Sequence, residues 1–218
     1  MANADSIKKV ADIIKAKGRD ICVVVSAPAG ITNQLLKHTT APAIVSRGEY
    51  FSAAVLSRML NFNFIDAADI IVIDKNQRVN MSATKKNIIR YNLRDKIPFV
   101  IGGFYGRGTC CELALLSRGG SDYTGAVMAA LMGAALYENW TDVNGLYTAD
   151  PKTDATARHI PRIDFDTLDY MTHHGAKVIH ENVALILKKY KIPLKIDNTF
   201  NPNVQWTEVH STNCKRPL

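Results

Sequence analysis

The chain has 218 residues, of which 47% are hydrophobic and 22% charged, and its 27 Lys and Arg against 20 Asp and Glu give a net charge of +7. This composition is typical of a folded globular protein and excludes a disordered chain, a collagen-like repeat and a cysteine-rich secreted scaffold. No apolar run approaches the roughly 20 residues of a transmembrane helix, and the first residues lack an apolar signal-peptide core, so we expect no membrane partner.

Helical and strand-like segments alternate along the first half of the chain, which predicts an α/β protein with a largely parallel sheet. Continuous apolar runs predict strands that are buried on both faces. The chain begins with a helix that Ser6 caps and that ends near Gly18, followed by a strand over Ile21–Val25 and a short helix after Asn33. A helix then follows Arg47–Glu49, with Phe51, Ala54, Val55 and Leu56 on its apolar side, and strands follow over Ile70–Ile73 and Pro98–Ile101.

The second half of the chain continues the alternation. We find no internal repeat, low-complexity tract or linker, and we therefore expect one domain. The predicted elements are a helix rich in small residues over Asp122–Ala134, a strand over Leu136–Trp140, helices over Thr167–His174 and Asn182–Tyr190, and a last strand over Pro193–Ile196.

The segment between Lys75 and Lys96 holds seven Lys and Arg residues and one Asp, a local net charge of +6 out of the +7 of the whole chain. Helical spacing there directs Ile88, Ile89 and Leu93 toward a core and the basic side chains toward solvent. A solvated basic helix explains this charge better than a nucleic-acid site, because no interleaved aromatic residues or RNA-binding signature accompany it. We therefore expect no nucleic-acid partner.

The four cysteines give no sign of a metal site or a disulfide framework. Cys22, Cys110, Cys111 and Cys214 show no C-x-x-C spacing, and neighbouring cysteines rarely form a disulfide. The pair His173–His174 has no further ligands at a suitable spacing. We therefore expect reduced thiols, a cytoplasmic location and no bound structural metal.

Two glycine-rich segments are candidate ligand sites. Gly102–Gly108 follows a predicted strand and could hold a phosphate, although a tight loop explains it about as well. Ser117–Thr124 opens the small-residue helix, and its Arg, Gly, Ser and Asp residues exceed what capping requires, which favours a ligand site at the helix N-terminus. Neither segment matches the dinucleotide-binding or P-loop spacing, so hydride transfer is disfavoured.

Six motifs, which follow one another in the family's order, resemble aspartokinase, a branch of the amino acid kinase family. Kinases for glutamate, acetylglutamate, carbamate and UMP share the fold but are not expected to carry this combination. The resemblance runs from about Ala2 to Val209. The motifs are Ser26–Asn33, Ser46–Glu49, Ser117–Thr124, Trp140–Pro151, His174–His180 and Asn198–Pro202.

The resemblance implies a three-layer α/β sandwich with a mainly parallel central sheet, the amino acid kinase fold. It implies a kinase domain over residues 1–209 and a polar tail over 210–218. The implied reaction is phosphoryl transfer from ATP, with Mg²⁺ held mainly through the phosphates, to the side-chain carboxylate of L-aspartate. The product is 4-phospho-L-aspartate, the first step toward lysine, threonine and methionine, and relatives commonly form homodimers.

The resemblance also assigns roles at the aspartate end of the site. Arg118 would pair with a carboxylate of aspartate, and Glu49 would hold its ammonium group. Thr32 and Ser121 would supply hydroxyl contacts to the same substrate. Asp122 would orient the cationic groups around the transferring phosphate. The alternative role for Glu49 is a favourable interaction of its negative charge with the positive end of its own helix.

The remaining implied roles concern the nucleotide. Lys177 would reach the phosphates and act with Asp122 in catalysis, although a surface lysine is the simpler alternative. Tyr147 would lie along the nucleotide, and the alternative is that it is an aromatic residue of the hydrophobic core. Lys152 stands where many relatives have Arg, a change that loses forked hydrogen bonding. The implied nucleotide-binding residues are Gly102, Gly103, Thr141, Asp142, Tyr147, Lys152 and Lys177.

Three segments of the family pattern are missing from this sequence. They are the opening strand with its Lys-Phe-Gly-Gly loop, a mostly helical insertion between His38 and Ser46, and the ACT domains that follow the kinase domain. Loss of a phosphate-binding lysine would lower the rate roughly 10²- to 10³-fold. The alternative function is therefore an impaired pseudokinase or fragment that binds nucleotide or a partner subunit.

Overall fold

A computed structural model describes residues 4–117, 119–149, 151, 153–173, 179–202 and 204–211. The chain divides between Leu131 and Met132 into two compact units, and each is described by itself. In the described ranges, no helix is long and apolar enough to cross a membrane.

The first unit contains helices that surround two small sheets. Its helices are α1 (Ala4–Ala16), α2 (Ile31–His38), α3 (Pro42–Val45), α4 (Arg47–Leu60), α5 (Ala67–Ile70), α6 (Met81–Arg90), a 3₁₀ turn over Leu93–Lys96, and α7 (Gly120–Met132), which ends one residue past the division. Its strands are β1 (Cys22–Val25), β2 (Asn63–Ile65), β3 (Val72–Ile73), β4 (Phe99–Gly102), β5 (Tyr105–Gly108) and β6 (Leu113–Leu115).

The larger sheet of this unit has the order β1-β4-β2, with both pairs parallel. The central strand β4 is buried along its whole length, as its apolar sequence predicts. Only Val25 of β1 is buried, because β1 is an outer strand in the described part of this sheet, so burial on both faces was a wrong prediction there. Helix α1 packs Ala11 and Ile14 against Leu56 of α4, which closes the core around β4.

The second sheet places β5 between β3 and β6. Strands β5 and β6 are antiparallel, and they carry the chain from the bend at Gly103 back toward the start of α7. The strand predicted over Ile70–Ile73 is short, because Asp66 caps α5 by accepting a hydrogen bond from the Ala68 amide at 2.9 Å. Only Val72 and Ile73 are therefore left to pair as β3.

The second unit is built on a four-stranded sheet with the order β10-β12-β11-β7. Its pairs are parallel except for β11 with β12, and β8 and β9 form a separate antiparallel pair. The elements are β7 (Tyr137–Thr141), β8 (Leu146–Tyr147), β9 (His159–Ile160), β10 (Arg162–Asp164), α8 (Phe165–His173), α9 (Glu181–Tyr190), β11 (Leu194–Asn198) and β12 (Thr207–His210).

Several local predictions were wrong. Ser6 lies inside α1 rather than before it, and the strand near 193–196 is not the last one, because β12 follows. Phe51 and Ile89, predicted to face a core, are 60% and 64% exposed. Of the tail predicted over 210–218, the structure describes only His210, which ends β12, and Ser211.

Candidate functional site

The most unusual charged group of the first unit is the carboxylate of Glu49. Glu49 lies in the first turn of α4 and is 3% exposed. Its Oε1 accepts a hydrogen bond from the Thr32 hydroxyl at 3.0 Å, while its buried Oε2 has no partner among the described residues. Burial raises the pKa of Glu49, and hydrogen bonds from Thr32 and from the backbone of Glu49 and Ala27 oppose that rise. The protein thus holds a desolvated carboxylate with an unused acceptor.

Two glycines bring the end of β4 against the backbone of Glu49 and against α7. A Cβ atom at Gly102 would lie 3.3 Å from the backbone carbonyl of Glu49. A Cβ atom at Gly103 would lie 2.7 Å from the Cα of Ser121, closer than real Cβ contacts allow. The Gly103 amide donates to the Val25 carbonyl at 2.8 Å, which ties the bend to the end of β1. Glycine at these two positions therefore allows the end of β4 to approach the backbones of α4 and α7 closely.

Ser121 and Asp122 lie within the first turn of α7, which begins at Gly120, rather than before the helix as capping residues would. The free amides and the dipole of a helix N-terminus favour negative charge. Thr32, Glu49, Gly102, Gly103 and Ser121, five of the residues assigned from the sequence, are thus joined by successive contacts within one unit.

The second unit collects other predicted nucleotide residues where β7 ends. Thr141 is the last residue of β7, and its hydroxyl donates to the Asp142 carboxylate at 3.3 Å. The Thr141 carbonyl accepts from the amide of Thr199, which follows the neighbouring parallel strand β11. Asp142 is exposed. These two residues therefore sit at the carboxyl end of the parallel pair β7–β11, the edge at which open α/β sheets bind ligands.

Tyr147 lies close by in β8 and is half-buried. Its hydroxyl donates to the Gln205 side chain at 3.0 Å, and its ring meets His159 edge-on with 5.5 Å between centroids. Burial lowers the pKa of His159, whose Nε2 is buried without a hydrogen-bond partner among the described residues. Burial therefore favours the neutral form of the imidazole, whose ring packs against Tyr147.

Three of the predicted site residues, Arg118, Lys152 and Lys177, lie outside the described residues. The sequence reasoning missed Asn198, whose side chain contacts the loop after β7, and it missed Gln205 and Thr207, whose side chains contact the following strand β8. Asn198 opens one of the six motifs, which was the available signal, whereas Gln205 and Thr207 had none. Over the ranges that the structure covers, no three His, Cys, Asp or Glu side chains are grouped to hold a metal ion.

Comparison with known proteins identifies the family. The sequence profile of the amino acid kinase family matches residues 1–198. The chain belongs to the amino acid kinase family. Its similarity is to aspartokinases in particular: it is 35% identical to the aspartokinase of Rickettsia felis over 235 aligned positions, covering 97% of this chain and 58% of that protein. It is 33% identical to the aspartokinase of Rickettsia prowazekii, again covering 97% of this chain but 52% of the relative.

Solved structures agree with this assignment. Aspartokinase III of E. coli, in complex with aspartate and ADP, superposes with a TM-score of 0.87 at 25% identity over 100% of this chain and 64% of that one. Aspartate kinase of Clostridium acetobutylicum gives 0.82 at 28% identity, over 100% of this chain and 62% of that one. UMP kinase of Ureaplasma parvum, at 17% identity and a TM-score of 0.64, shares the fold alone. The predicted amino acid kinase fold and the resemblance to aspartokinases are confirmed, and the chain spans little more than half the length of the curated relatives it matches.

Proposed function

We propose that this chain transfers the γ-phosphoryl group of MgATP to the side-chain carboxylate of L-aspartate. The observation that carries the proposal is the buried Glu49 carboxylate, which accepts a hydrogen bond from Thr32 and whose own backbone lies against Gly102 in the Gly102–Gly103 bend. The similarity to an aspartokinase that was solved with aspartate and ADP supports the same reaction. The product, 4-phospho-L-aspartate, would open the route to lysine, threonine and methionine.

The site has the complementarity that an amino acid requires. The ammonium group of aspartate would donate to the unpaired Oε2 of Glu49, and charge-assisted hydrogen bonds of this kind are stronger than neutral ones. A ligand cation would also compensate the burial that disfavours the charged carboxylate. Thr32 and Ser121 would contact the same substrate, and Arg118 would bind one of its carboxylates. Glu49 is therefore the residue on which aspartate recognition depends most.

The proposed reaction does not require a general base. The attacking carboxylate has a reference pKa near 3.9 and is ionised at neutral pH, so no proton has to be removed from it. Catalysis then consists of positioning the reactants and balancing the charge that spreads over the phosphate oxygens. Lys177 would reach the phosphates, and Asp122 would orient the cationic groups around the transferring group. Mg²⁺ would be held mainly through the phosphates of the nucleotide.

The nucleotide would be held by residues from several loops. Thr141 and Asp142 would meet the adenosine end, and Tyr147 would lie along it. Lys152, Lys177 and the bend at Gly102 and Gly103 would be directed to the phosphates. We further propose that residues 1–209 are the kinase domain, that the enzyme acts in the cytoplasm, and that it forms a homodimer.

A coupled assay of ADP release, with hydroxamate trapping of the acyl phosphate, tests the proposal. We expect ADP release that requires L-aspartate, a hydroxamate signal of equal amount, and loss of both signals in Glu49→Ala. Glu112→Gln, which changes an exposed carboxylate in the β5–β6 hairpin, is the matched control and should retain full turnover. Calorimetric binding of MgATP without turnover would instead support the pseudokinase alternative.

A further inference from the structure

Two loops of the second unit are joined by a dense set of hydrogen bonds. One is the loop after β7, residues 142–145, and the other follows β11, beginning at Thr199. The two strands are parallel neighbours, in the register Asn198 opposite Thr141, so both loops leave the sheet at the same edge. The first loop carries proposed nucleotide contacts, whereas nothing so far assigns a role to the second.

Asn198 is the central connection between these loops. It is 4% exposed, and its side-chain amide donates to the Asp142 carbonyl at 3.4 Å and to Asn144 Oδ1 at 2.5 Å. Its Oδ1 accepts from the Phe200 amide at 2.7 Å. The three contacts use both the donor and the acceptor end of the amide. An aspartate or alanine in this place could not make the two bonds to the loop after β7.

Further bonds fix the strand β8, Leu146–Tyr147, which follows the first loop. Gln205 accepts from the Tyr147 hydroxyl at 3.0 Å, and the buried Thr207 hydroxyl accepts from the Leu146 amide at 2.8 Å and donates to the Ile160 carbonyl at 2.6 Å. Gly145 has a φ of 74°, which allows the chain to turn here. A Cβ atom at this position would also lie 2.6 Å from the Thr207 hydroxyl, so the close approach of Thr207 requires glycine as well. Asn198 therefore holds Asp142 and Asn144, while Thr207 and Gln205 hold Leu146 and Tyr147.

We propose that Asn198 and Gln205 are positioning residues for nucleotide binding. Asn198 holds the turn that presents Thr141 and Asp142, and Gln205 fixes the direction of the Tyr147 hydroxyl and ring. This inference rests on the proposed function, because it takes the loop after β7 as the nucleotide contact. It extends the nucleotide-binding machinery past residue 198, where the match to the family profile ends.

The two side chains allow a matched set of substitutions. Asn198→Asp keeps the acceptor for Phe200 but loses both donations to the loop, and Asn198→Ala loses all three bonds. Gln205→Ala removes the acceptor of the Tyr147 hydroxyl, whereas Gln205→Glu keeps one. We expect the first three variants to weaken MgADP binding in calorimetry, and to raise the KM for ATP, by roughly tenfold. In Gln205→Glu, the affinity for MgADP and the KM for ATP should stay within about twofold of their values in the unsubstituted chain. The KM for aspartate should stay within the same range in every variant.

Arg162→Ala, which removes an exposed ion pair with Glu208 in the same unit, is the control and should change neither constant. Gln205 is only half-buried, so Gln205→Ala remains a test if substitution of the buried Asn198 prevents folding. Two results would overturn the positioning role but not the proposed function. One is an unchanged nucleotide affinity in both Gln205→Ala and a folded Asn198 variant. The other is an equal loss of nucleotide affinity in Gln205→Ala and Gln205→Glu. If the unsubstituted chain binds no MgADP or MgATP, the proposed function fails, and the positioning role fails with it.

Discussion

Replacement of Glu49 by Gln should make the protein more stable and less able to bind aspartate. The Glu49 carboxylate is 3% exposed, and its Oε2 has no hydrogen-bond partner among the described residues, so the hydrogen bonds from Thr32 and from the backbone of Glu49 and Ala27 only partly offset the removal of its charge from water on folding. Gln keeps the oxygen that accepts from Thr32 and removes the buried charge. We expect the free energy of unfolding at neutral pH to rise by about 1 kcal/mol.

The pH dependence follows from the direction of the pKa shift. Because the pKa of Glu49 is raised above its ordinary value of 4.5, the folded state binds more protons than the unfolded state between that value and the folded pKa. The stability of the unsubstituted chain therefore falls as the pH rises through this interval. The advantage of Glu49→Gln should accordingly vanish toward about pH 4.5 and be complete above the folded pKa.

Urea denaturation across this pH range and aspartate kinetics measure the two effects. The loss of a charge-assisted contact to the substrate ammonium corresponds to roughly 1.5–3 kcal/mol, so the KM for aspartate should rise about 10- to 150-fold while the KM for ATP changes little. Equal or lower stability of Glu49→Gln at neutral pH would refute the burial argument. An unchanged KM for aspartate would refute the assignment of Glu49 to the substrate.

Three further predictions concern other parts of the two units. Gly103→Ala should lower the free energy of unfolding by about 1–3 kcal/mol in chemical denaturation, because its Cβ would meet the α7 backbone, and a neutral effect would show that the bend can relax. Thr207→Val should cost about 1–3 kcal/mol by the same measurement, since it leaves the Leu146 amide without its acceptor; hydrogen exchange at that amide should speed up, and unchanged exchange would contradict the bond. The pKa of His159 is lowered from 6.5, so the stability that its neutral form contributes above 6.5 should be lost as the pH falls below that value. The two-dimensional NMR titration of His159 should show a midpoint below 6.5, and a midpoint above it would contradict the burial of its ring.

Much of the fold could be predicted from the sequence, and the failures have physical causes. The strand β4 and the helix α7 have continuous apolar or small-residue sequences, and both formed close to the predicted bounds. The strand predicted over Ile70–Ile73 was shortened because a capping bond from Asp66 started a helix in the same apolar run. Apolar sequence cannot distinguish these outcomes, since a short apolar run suits a buried helix as well as a strand.

The candidate site could be predicted only in part, because motifs identify single residues but not the contacts between them. Thr32, Glu49 and Ser121 were assigned through motifs, and the structure joins them through contacts that the sequence does not specify. Gln205 lies in a segment without apolar periodicity, and its bond to Tyr147 links positions 58 residues apart. Such long-range side-chain pairs depend on how β12 enters the sheet between β10 and β11, which local patterns do not determine.

The most direct test of the account is ADP release by the purified chain with MgATP, measured with and without L-aspartate. We expect saturable ADP release that depends on L-aspartate, that is accompanied by acyl phosphate, and that is lost in Glu49→Ala. Folded protein that releases no ADP with L-aspartate above the rate without it would contradict the proposed reaction.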